Sequence, residues 1–492
     1  MPRSNLKREK GRFLFRLVLS VVLAGLLPLG ATPIRYKVGS SVDATPTCFG
    51  PAYDIGGGGG DVDPAIQWMI DQVRGATGMG GPKLDVVILR CSGSNGYNAP
   101  ILAMYGVNSV ESIVGTSVAD FNDPAVAQAV ANAEVIFFAG GNQANYIQFI
   151  KGTATDTAIR SVLARGGGLG GTSAGAAVQG AIIHDATTGS STSAEALGDP
   201  YHSKIHFTYG WLGLQNLGDT LCEPHLQPGG NGYNRLGRLM AFVARQVKDG
   251  KASAMLGLGI DTETSLVVDK AGLATVMGSQ SAYLVLLDRV PEVCVAGTPL
   301  TCSGFKIWKL SPGQTFNLAS RPTCGYYLGR VTNGALGDGI TAADYYTVGT
   351  VVGCNQPSIT TLSPTSGPAG TVVTLTGTNL EGPSAVAFNG TAATFTALGG
   401  TQVKATVPRG ATTGPVSLTA PGGLASGGTF TVTVPAKSLD LDASGTVDVL
   451  DMAQFAKAYL SVTGEAHYRA ALDLNDDGVI DDLDLSIWLF GF

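Results

Sequence analysis

The sequence predicts a multidomain protein in which an α/β module with a mostly parallel sheet precedes a small β-sandwich and a short α-helical tail. Strand-like and helix-like segments alternate over residues 61–290, which favours a parallel sheet covered on both faces. Short β-branched runs divided by Gly, Pro and Asn fill residues 357–434, as in a sandwich. An acidic spacing repeats in the tail. At 492 residues the chain is too long for one compact core.

The N-terminal segment predicts export. Residues 1–31 combine a basic start, an apolar run from Leu17 to Leu29 and small residues near Ala31, which is typical of a cleaved signal peptide. Arg16 leaves the apolar run short of the about 20 residues that span a bilayer, so an uncleaved anchor is less favoured. The formal charge is −6 and becomes more negative when this segment is removed, which argues against a nucleic-acid partner.

Seven cysteines fit an oxidising compartment. Cys294 and Cys302 lie close together in the sequence, as do Cys324 and Cys354, and each pair could close a short loop, although spacing alone does not assign the pairs. Cys91 ends an apolar run and is expected to be a small buried hydrophobe rather than a nucleophile.

In the α/β module, apolar runs predict strands at 86–89, 135–139 and 265–268, and helical spacing predicts helices at 154–164 and 235–247. In such sheets the active site lies at the carboxyl ends of the strands. The glycine-rich segments that follow the predicted strands are therefore the candidate site.

Gly171-Thr172-Ser173-Ala174-Gly175 has the G-x-S-x-G pattern of a nucleophile elbow. A strand ends, the chain turns sharply, and the serine hydroxyl projects above the sheet edge. The glycines are expected because a Cβ would clash in the strained turn. The helix that follows directs backbone N–H groups at a developing oxyanion.

A serine nucleophile needs a base. Excluding the histidine of the acidic tail, four histidines all follow Ser173, which differs from the Ser, acid, His order of α/β-hydrolases. His225 is the favoured base because it lies beside Glu223, in a loop before a predicted helix. His202 and His206 are expected on the surface or a wall.

Asp261 and Glu263 are the candidate acids that would orient the base. They follow the small-residue run 257–260, and in extended chain their side chains point to the same face. A triad acid should be buried and hydrogen-bonded to the imidazole.

Residues 57–290 resemble cyanophycinase and the related aspartyl dipeptidases, which are serine peptidases on a glutamine-amidotransferase-like α/β fold. The resemblance is carried by DVD at 61–63, IQWM at 66–69, SGSNGYN at 92–98, FFAGGNQ at 137–143, GGTSAGAA at 170–177, EPH at 223–225, RLGRL at 235–239 and GLGID at 257–261. It implies Ser173 as nucleophile, His225 as base and Gln143 on the substrate side. It also implies an oxyanion hole made by the backbone N–H groups of Gly140, Gly141 and Ala174.

Three positions depart from the family's pattern. Asn142 and Glu223, both expected on the substrate side, stand where the family usually has Asp. Thr262 stands where the family usually has its triad Glu. Either Asp261 or Glu263 takes that role, or the triad is incomplete.

Residues 357–435 resemble an IPT/TIG immunoglobulin-like domain. The resemblance is carried by SP at 363–364, SGPAG at 366–370, TGTNL at 376–380, VAFNG at 386–390, VP at 407–408 and TFTV at 429–432. Such domains are usually spacers or interaction modules, so no chemistry is assigned to this one.

Residues 438–492 contain two calcium-loop patterns, each with glycine at position 6 and a main-chain carbonyl ligand at position 7. The proposed ligands are Asp440, Asp442, Ser444, Thr446, Asp448 and Asp451 in the first loop, and Asp473, Asn475, Asp477, Val479, Asp481 and Asp484 in the second. Helices are predicted at 452–459 and 485–489. Asp at position 12 in both loops resembles dockerins, which implies a cohesin partner and anchoring in an extracellular complex. The alternative is a pair of solvated acidic turns.

Together these features predict a secreted serine peptidase that hydrolyses aspartyl or β-aspartyl (β-Asp-Arg type) bonds, with structural Ca²⁺ and no catalytic cofactor. The predicted divisions are 1–31, 32–355, 357–435 and 438–492. Glu223 and the negative charge favour a basic substrate side chain. The alternatives are an inactive binding protein of a surface or complex, supported by Thr262, or another serine amidase on the same fold. A homodimer is left open.

Overall fold

The computed structural model describes residues 33–227, 234–337, 339–341, 345, 351–433, 441, 449–474 and 478–485. The signal peptide predicted at residues 1–31 lies outside these ranges. None of the helices in the described ranges is both long and apolar enough to cross a bilayer.

The first module contains two large sheets, one two-stranded sheet and nine helices within the described residues. Its elements, in chain order, are β1 (Ile34–Gly39), β2 (Ala52–Gly56), α1 (Asp63–Arg74), β3 (Leu84–Arg90), α2 (Asn98–Leu102), β4 (Val107–Val114), α3 (Val118–Phe121), α4 (Pro124–Asn132), β5 (Val135–Phe138), α5 (Gln143–Phe149), α6 (Ala154–Ala164), β6 (Gly168–Thr172), α7 (Ala174–Ala177), β7 (Ile182–His184), α8 (Ser193–Gly198), β8 (Phe207–Tyr209), β9 (Thr220–Pro224), α9 (Leu236–Lys248), β10 (Met255–Ile260), β11 (Thr264–Val268), β12 (Leu273–Gly278), β13 (Ala282–Leu287), β14 (Cys302–Leu310), β15 (Thr315–Asn317), β16 (Tyr326–Thr332), β17 (Ala335–Leu336) and β18 (Val351–Val352). The short strands β7 and β8 pair with each other.

The nine-stranded sheet has the order β1-β4-β3-β5-β6-β2-β11-β12-β15. The five strands from β4 to β2 are parallel to one another, while β1, β11, β12 and β15 join antiparallel. The predicted parallel sheet is therefore the centre of a mixed sheet. Strand β3 is buried almost throughout, as expected for a parallel strand covered on both faces.

The second sheet has the order β17-β16-β14-β13-β10-β9, and only its β9–β10 pair is parallel. Helix α9 packs on it through a continuous apolar face. The sequence pattern did not separate this sheet from the first one. The chain passes between the two sheets at 261–263, where β10 ends and β11 begins.

Residues 357–433 form the expected β-sandwich. Its strands are β19 (Ser358–Ser363), β20 (Ser366–Gly367), β21 (Val372–Thr378), β22 (Ala385–Phe388), β23 (Thr391–Ala392), β24 (Phe395–Ala397), β25 (Gln402–Thr406), β26 (Gly414–Ala420) and β27 (Gly423–Val432). One sheet is β19-β21-β25-β24 and the other is β20-β27-β26-β22-β23. Phe388 and Phe430 meet edge to face in the core between them.

Of the two cysteine pairs that are close in sequence, Cys324 and Cys354 form a disulfide. Cys294 and Cys302 are free thiols, and both are buried. Cys91 is buried as predicted, and burial raises the pKa of its thiol to about 12.

The tail contains α10 (Val449–Ala458), which overlaps the predicted helix at 452–459. Phe455 and Ile480 belong to the small apolar core of the tail. A β-bridge joins Val462 to Val479. Most of the second predicted helix, at 485–489, lies outside the described residues.

Candidate active site

Ser173 lies on a sharp turn between β6 and α7. Its φ of 54° and ψ of −115° are strained for a residue with a side chain. A Cβ on Gly175 would lie 2.0 Å from the carbonyl oxygen of Phe138, and one on Gly171 would lie 2.7 Å from the backbone of Gly175. The glycines of the predicted elbow are therefore required by sterics.

The Ser173 Oγ lies 2.7 Å from the Nε2 of His225. His225 follows β9 and also has a positive φ, of 55°. Both side chains are half-buried. The two residues come from different sheets, since β6 belongs to the nine-stranded sheet and β9 to the second one.

Three successive carbonyl groups after β2 fix this geometry. The oxygen of Gly56 accepts from the Ser173 N–H at 2.9 Å, that of Gly57 from the His225 N–H at 2.9 Å, and that of Gly58 from the Glu263 N–H at 2.7 Å. The glycine run thus forms a backbone template that holds the serine, the histidine and the crossing between the sheets.

The imidazole of His225 packs directly on Gly58. A Cβ on Gly58 would lie 2.2 Å from the ring Cε1, so only glycine fits beneath the ring. Burial, and then the charge of Arg235, lower the pKa of His225 to about 4. The imidazole is therefore neutral at pH 7, and an unprotonated Nε2 can accept the proton of the Ser173 hydroxyl.

The predicted oxyanion groups lie beside the serine. A Cβ on Gly140 would come 3.6 Å from the Ser173 Cβ, which shows how closely the turn after β5 approaches the elbow. Ala174 is the first residue of α7, and the first N–H groups of a helix have no partner within it. The turn after β5 and the start of α7 therefore both lie next to Ser173, and their role as an oxyanion hole stays a prediction.

A cavity of about 440 Å³ opens over Ser173 and His225. The residues that line it and that bear on its chemistry are Gly141, Asn142, Gln143, Ser173, Ala174, His184, Ser190, Glu223, His225, Arg235 and Arg238. The Asn142 side chain caps α5 by accepting from the Ala144 N–H at 3.0 Å. The Gln143 amide donates to the His184 carbonyl oxygen at 3.4 Å.

Glu223 is buried between two arginines. Its carboxylate accepts from Arg238 and lies 3.5 Å from the Arg235 guanidinium. Burial alone would raise the pKa of Glu223, but Arg238 and Arg235 outweigh burial and hold that pKa below its ordinary value. The three side chains together carry one net positive charge at the cavity wall.

The two candidate acids have different surroundings. Asp261 is buried, and its carboxylate accepts from the Ser281 N–H at 3.3 Å; burial raises its pKa to about 6. Glu263 is exposed, and its carboxylate lies 3.4 Å from the Ser279 hydroxyl. Thr262, between them, accepts a hydrogen bond from the side chain of Gln227.

Sequence reasoning gave no role to several residues of the site: Gly58, His184, Ser190, Arg235 and Arg238. The two arginines are visible as RLGRL, three residues apart and so on one face of a helix, but nothing in the sequence shows that Glu223 is their partner. Burial lowers the pKa of His184 to about 4, and its ring stacks on Phe242.

The two other histidines lie away from the cavity. The His206 Nδ1 is 2.6 Å from the buried carboxylate of Asp185, and the ring is largely exposed. The His202 Nδ1 accepts from the Lys204 N–H at 3.2 Å.

In the tail, the two loops repeat the same contacts. The Leu441 N–H donates to the Asp451 carboxylate at 2.6 Å, and the Leu474 N–H donates to the Asp484 carboxylate at 2.5 Å. Both contacts join loop positions 2 and 12. Asp473 accepts from the N–H of Gly478 at 2.9 Å.

Asp451, Asp473 and Asp484, which hold loop positions 12, 1 and 12, are all buried. Val479 and Asp481 lie in the described part of the second loop. The remaining predicted ligands lie outside the described residues: Asp440, Asp442, Ser444, Thr446, Asp448, Asn475 and Asp477. Among the residues that are described, no group of three or more His, Cys, Asp or Glu side chains is placed to hold a metal.

Comparisons with known proteins agree with this architecture. Residues 104–276 match the model of peptidase family S51, residues 357–433 match the IPT/TIG domain and residues 438–488 match the dockerin type I domain. Two curated relatives, both named cyanophycinase, come from Trichormus variabilis and Nostoc sp.. Each is 31% identical over 195 residues, which cover 38% of this chain and 57% of the relative. A solved structure of a peptidase from an acI-B1 Actinobacterium matches with a TM-score of 0.36 at 14% identity, over 55% of this chain and 98% of that chain.

The first module therefore has an α/β fold that is similar to that of peptidase family S51. The chain carries a peptidase family S51 domain homologous to cyanophycinase, followed by an IPT/TIG domain and a dockerin type I domain. Because the alignment spans little more than half of the curated relatives, their activity is carried over only as a proposal. The module boundaries and the roles of the site residues stay predictions.

Proposed function

We propose that the protein is a secreted serine peptidase that hydrolyses aspartyl or β-aspartyl peptide bonds. The observation that carries the proposal is the 2.7 Å contact between the Ser173 Oγ and the His225 Nε2 at a strained elbow. A hydroxyl in contact with a neutral imidazole is the arrangement that activates serine as a nucleophile.

The steps follow from this geometry. The Ser173 Oγ attacks the substrate carbonyl carbon while the His225 Nε2 takes the hydroxyl proton. The N–H groups of Gly140, Gly141 and Ala174 stabilise the oxyanion. His225 then gives the proton to the leaving amine, and water, activated by the same imidazole, hydrolyses the acyl-enzyme.

The mechanism also needs a group that orients the imidazole of His225. The exposure of Glu263 does not suit a triad acid, whereas Asp261 is buried at the crossing between the sheets. We therefore favour Asp261, acting together with the backbone contacts of the glycine run. The buried charge of Glu223 also acts on the imidazole, raising its pKa against the effects of burial and Arg235.

The cavity wall favours a substrate with a carboxylate near the scissile bond. Glu223 is engaged by two arginines, so the charge left over is positive and suits an anion rather than a basic side chain. Arg235 is the more exposed of the two arginines and is the better placed to meet a substrate carboxylate. An aspartyl residue supplies such a group. The arginine of a β-Asp-Arg substrate would then lie away from Glu223, Arg235 and Arg238. Asn142 and Gln143 would lie between that arginine and the pair formed by Ser173 and His225.

The tail supplies anchoring in this proposal. Dockerin type I domains as a class bind calcium, and two Ca²⁺ would be held by the two loops that end at Asp451 and Asp484. The folded tail would bind a cohesin partner outside the cell, after removal of residues 1–31. No cofactor takes part in catalysis.

A fluorophosphonate probe tests the serine assignment, because it reacts only with an activated hydroxyl. We expect labelling of the full chain at Ser173, with none in Ser173→Ala or His225→Ala and normal labelling in His206→Gln, which changes an exposed histidine away from the cavity. Equal labelling of Ser173→Ala would refute the nucleophile.

A substrate panel tests the specificity. The panel pairs β-Asp-Arg with its α-carboxamide (the isoasparagine analogue) and Asp-Arg with Asn-Arg, so that each control lacks the free carboxylate. We expect turnover of β-Asp-Arg and Asp-Arg only. Absence of both labelling and turnover would instead favour the binding-protein alternative, which the threonine at 262 supports. Labelling with turnover of neutral amides would favour another amidase.

A further inference from the structure

The hydroxyl of one tyrosine contacts the parts of the chain on either side of residues 228–233. These parts are also joined directly, because the Arg235 N–H donates to the Leu226 carbonyl oxygen at 3.0 Å. The Oη of Tyr345 lies 2.7 Å from the Leu226 carbonyl oxygen and 2.9 Å from that of Gln227. It also lies 2.8 Å from the Asn234 side chain and accepts from the Leu236 N–H at 3.3 Å. Tyr345 lies well beyond the part of the chain that matches family S51.

A proton count shows how these contacts are satisfied. A phenol donates one hydrogen bond, so the carbonyl oxygens of Leu226 and Gln227 share it, and the Oη can accept two. The Leu236 N–H is one donor. The Asn234 amide fits as the second donor when its nitrogen faces the hydroxyl, because the two ends of an amide have the same shape.

The rest of Tyr345 is fixed to the second sheet. Its ring is fully buried and meets the ring of Tyr283, on β13, edge to face with centroids 5.6 Å apart. Its carbonyl oxygen accepts from the Tyr327 hydroxyl, on β16, at 2.8 Å. The hydroxyl is therefore held in place by the sheet that also carries His225.

We propose that Tyr345 is a positioning residue that holds His225 and Arg235 in register over the cavity. Leu226 directly follows His225, and Asn234 and Leu236 flank Arg235, so three of the four contacts of the hydroxyl act one residue from a group of the site and the fourth, Gln227, acts two residues away. The proposal rests on the proposed function, in which His225 is the base and Arg235 meets the substrate. Because Tyr345 lies outside residues 104–276, the proposal adds to the candidate active site a residue that the family match does not include.

Tyr345→Phe removes the hydroxyl and keeps the ring. The matched control is Tyr53→Phe: Tyr53 is equally buried, its hydroxyl accepts from the Gln215 N–H at 3.1 Å, and it does not line the active-site cavity. Both variants lose a buried hydroxyl, and Tyr345→Phe should lose the more thermal stability because its hydroxyl makes four contacts, whereas that of Tyr53 accepts from the Gln215 N–H. Two readouts separate positioning from core filling: the rate of fluorophosphonate labelling, and the pKa of His225 from NMR titration of its Cε1–H.

In Tyr345→Phe we expect labelling to slow by roughly tenfold to a hundredfold, because the Gln227 carbonyl oxygen and the Leu236 N–H lose their contact with the hydroxyl and the backbone near the base will rearrange. We also expect the pKa of His225 to rise from about 4 towards its ordinary value as water reaches the ring. The charges that act on the ring, those of Arg235, Glu223 and Arg238, are unchanged in this variant. In Tyr53→Phe both readouts should stay at the wild-type values.

Wild-type labelling and an unchanged His225 titration in Tyr345→Phe would overturn the proposal, whatever the loss of stability. Equal changes in both variants would overturn it too. If the wild-type chain does not label at Ser173, the proposed function fails, and the His225 titration alone decides whether Tyr345 positions the base.

Discussion

Gly58, which lies beneath the imidazole of His225, offers a sharp test of the backbone template. In Gly58→Ala the new Cβ would lie 2.2 Å from the His225 Cε1 and 2.6 Å from Nε2, whereas real Cβ contacts begin near 3.0 Å. The ring must therefore move by about 1 Å, a displacement that can cost about a hundredfold in rate. Because Gly58 has a φ of +92°, alanine also adds strain of about 1–3 kcal/mol.

Gly60→Ala is the matched control in the same run of glycines. Its Cβ would meet nothing closer than the Glu263 Cγ at 3.7 Å, an ordinary contact, and its φ is not in the left-handed region. The assay is the second-order rate of Ser173 labelling, with calorimetry as the check on folding. We expect Gly58→Ala to label about a hundred times more slowly than Gly60→Ala while still unfolding cooperatively. Rates within threefold of each other would refute the idea that Gly58 sets the position of the imidazole.

Three further predictions concern the acids, pH and calcium. Asp261→Asn should slow labelling of Ser173 far more than Glu263→Gln does, since loss of a triad acid lowers the rate by a factor on the order of 10⁴. If both variants label less than about tenfold more slowly than the wild type, neither residue is a triad acid. Because burial and Arg235 lower the pKa of His225 to about 4, the imidazole is neutral above that pH. Labelling should therefore persist from pH 7 to about 5 and fall through pH 4. A midpoint near the ordinary pKa of about 6.5 would contradict a buried imidazole. Chelation of Ca²⁺ in the full chain should abolish a separate thermal transition of the tail and leave labelling unchanged, whereas an unchanged thermogram would mean that the loops are only acidic turns.

The sequence predicted the parts of the site that depend on local backbone chemistry. The elbow around Ser173 could be predicted because glycine, serine and a small-residue helix start are short-range requirements. The closeness of His225 to Ser173 followed from elimination among few histidines together with a family resemblance. Neither argument could supply the distance, because the two residues belong to different sheets.

The sequence could not show which side chains and strands would pair when they lie far apart along the chain. Glu223 was expected to attract a basic substrate group, yet the structure places Arg238 and Arg235 on it. The second sheet was missed because its antiparallel strands, such as 282–287 and 302–310, continue an apolar pattern without marking a new layer. Periodicity reports burial but does not report which sheet a strand joins.

Ser173 and His225, the proposed nucleophile and base, follow strands of two different sheets, and this has a mechanical consequence. Ser173 moves with β6, and His225 moves with β9, so their contact depends on how the sheets are held together at the active-site edge. The Gly56, Gly57 and Gly58 carbonyls provide that link, and the third of them binds the N–H of Glu263 at the crossing from β10 to β11. The acidic residues of this crossing are therefore constrained first by the backbone path between the sheets. A carboxylate there can assist the imidazole only if the crossing keeps this register.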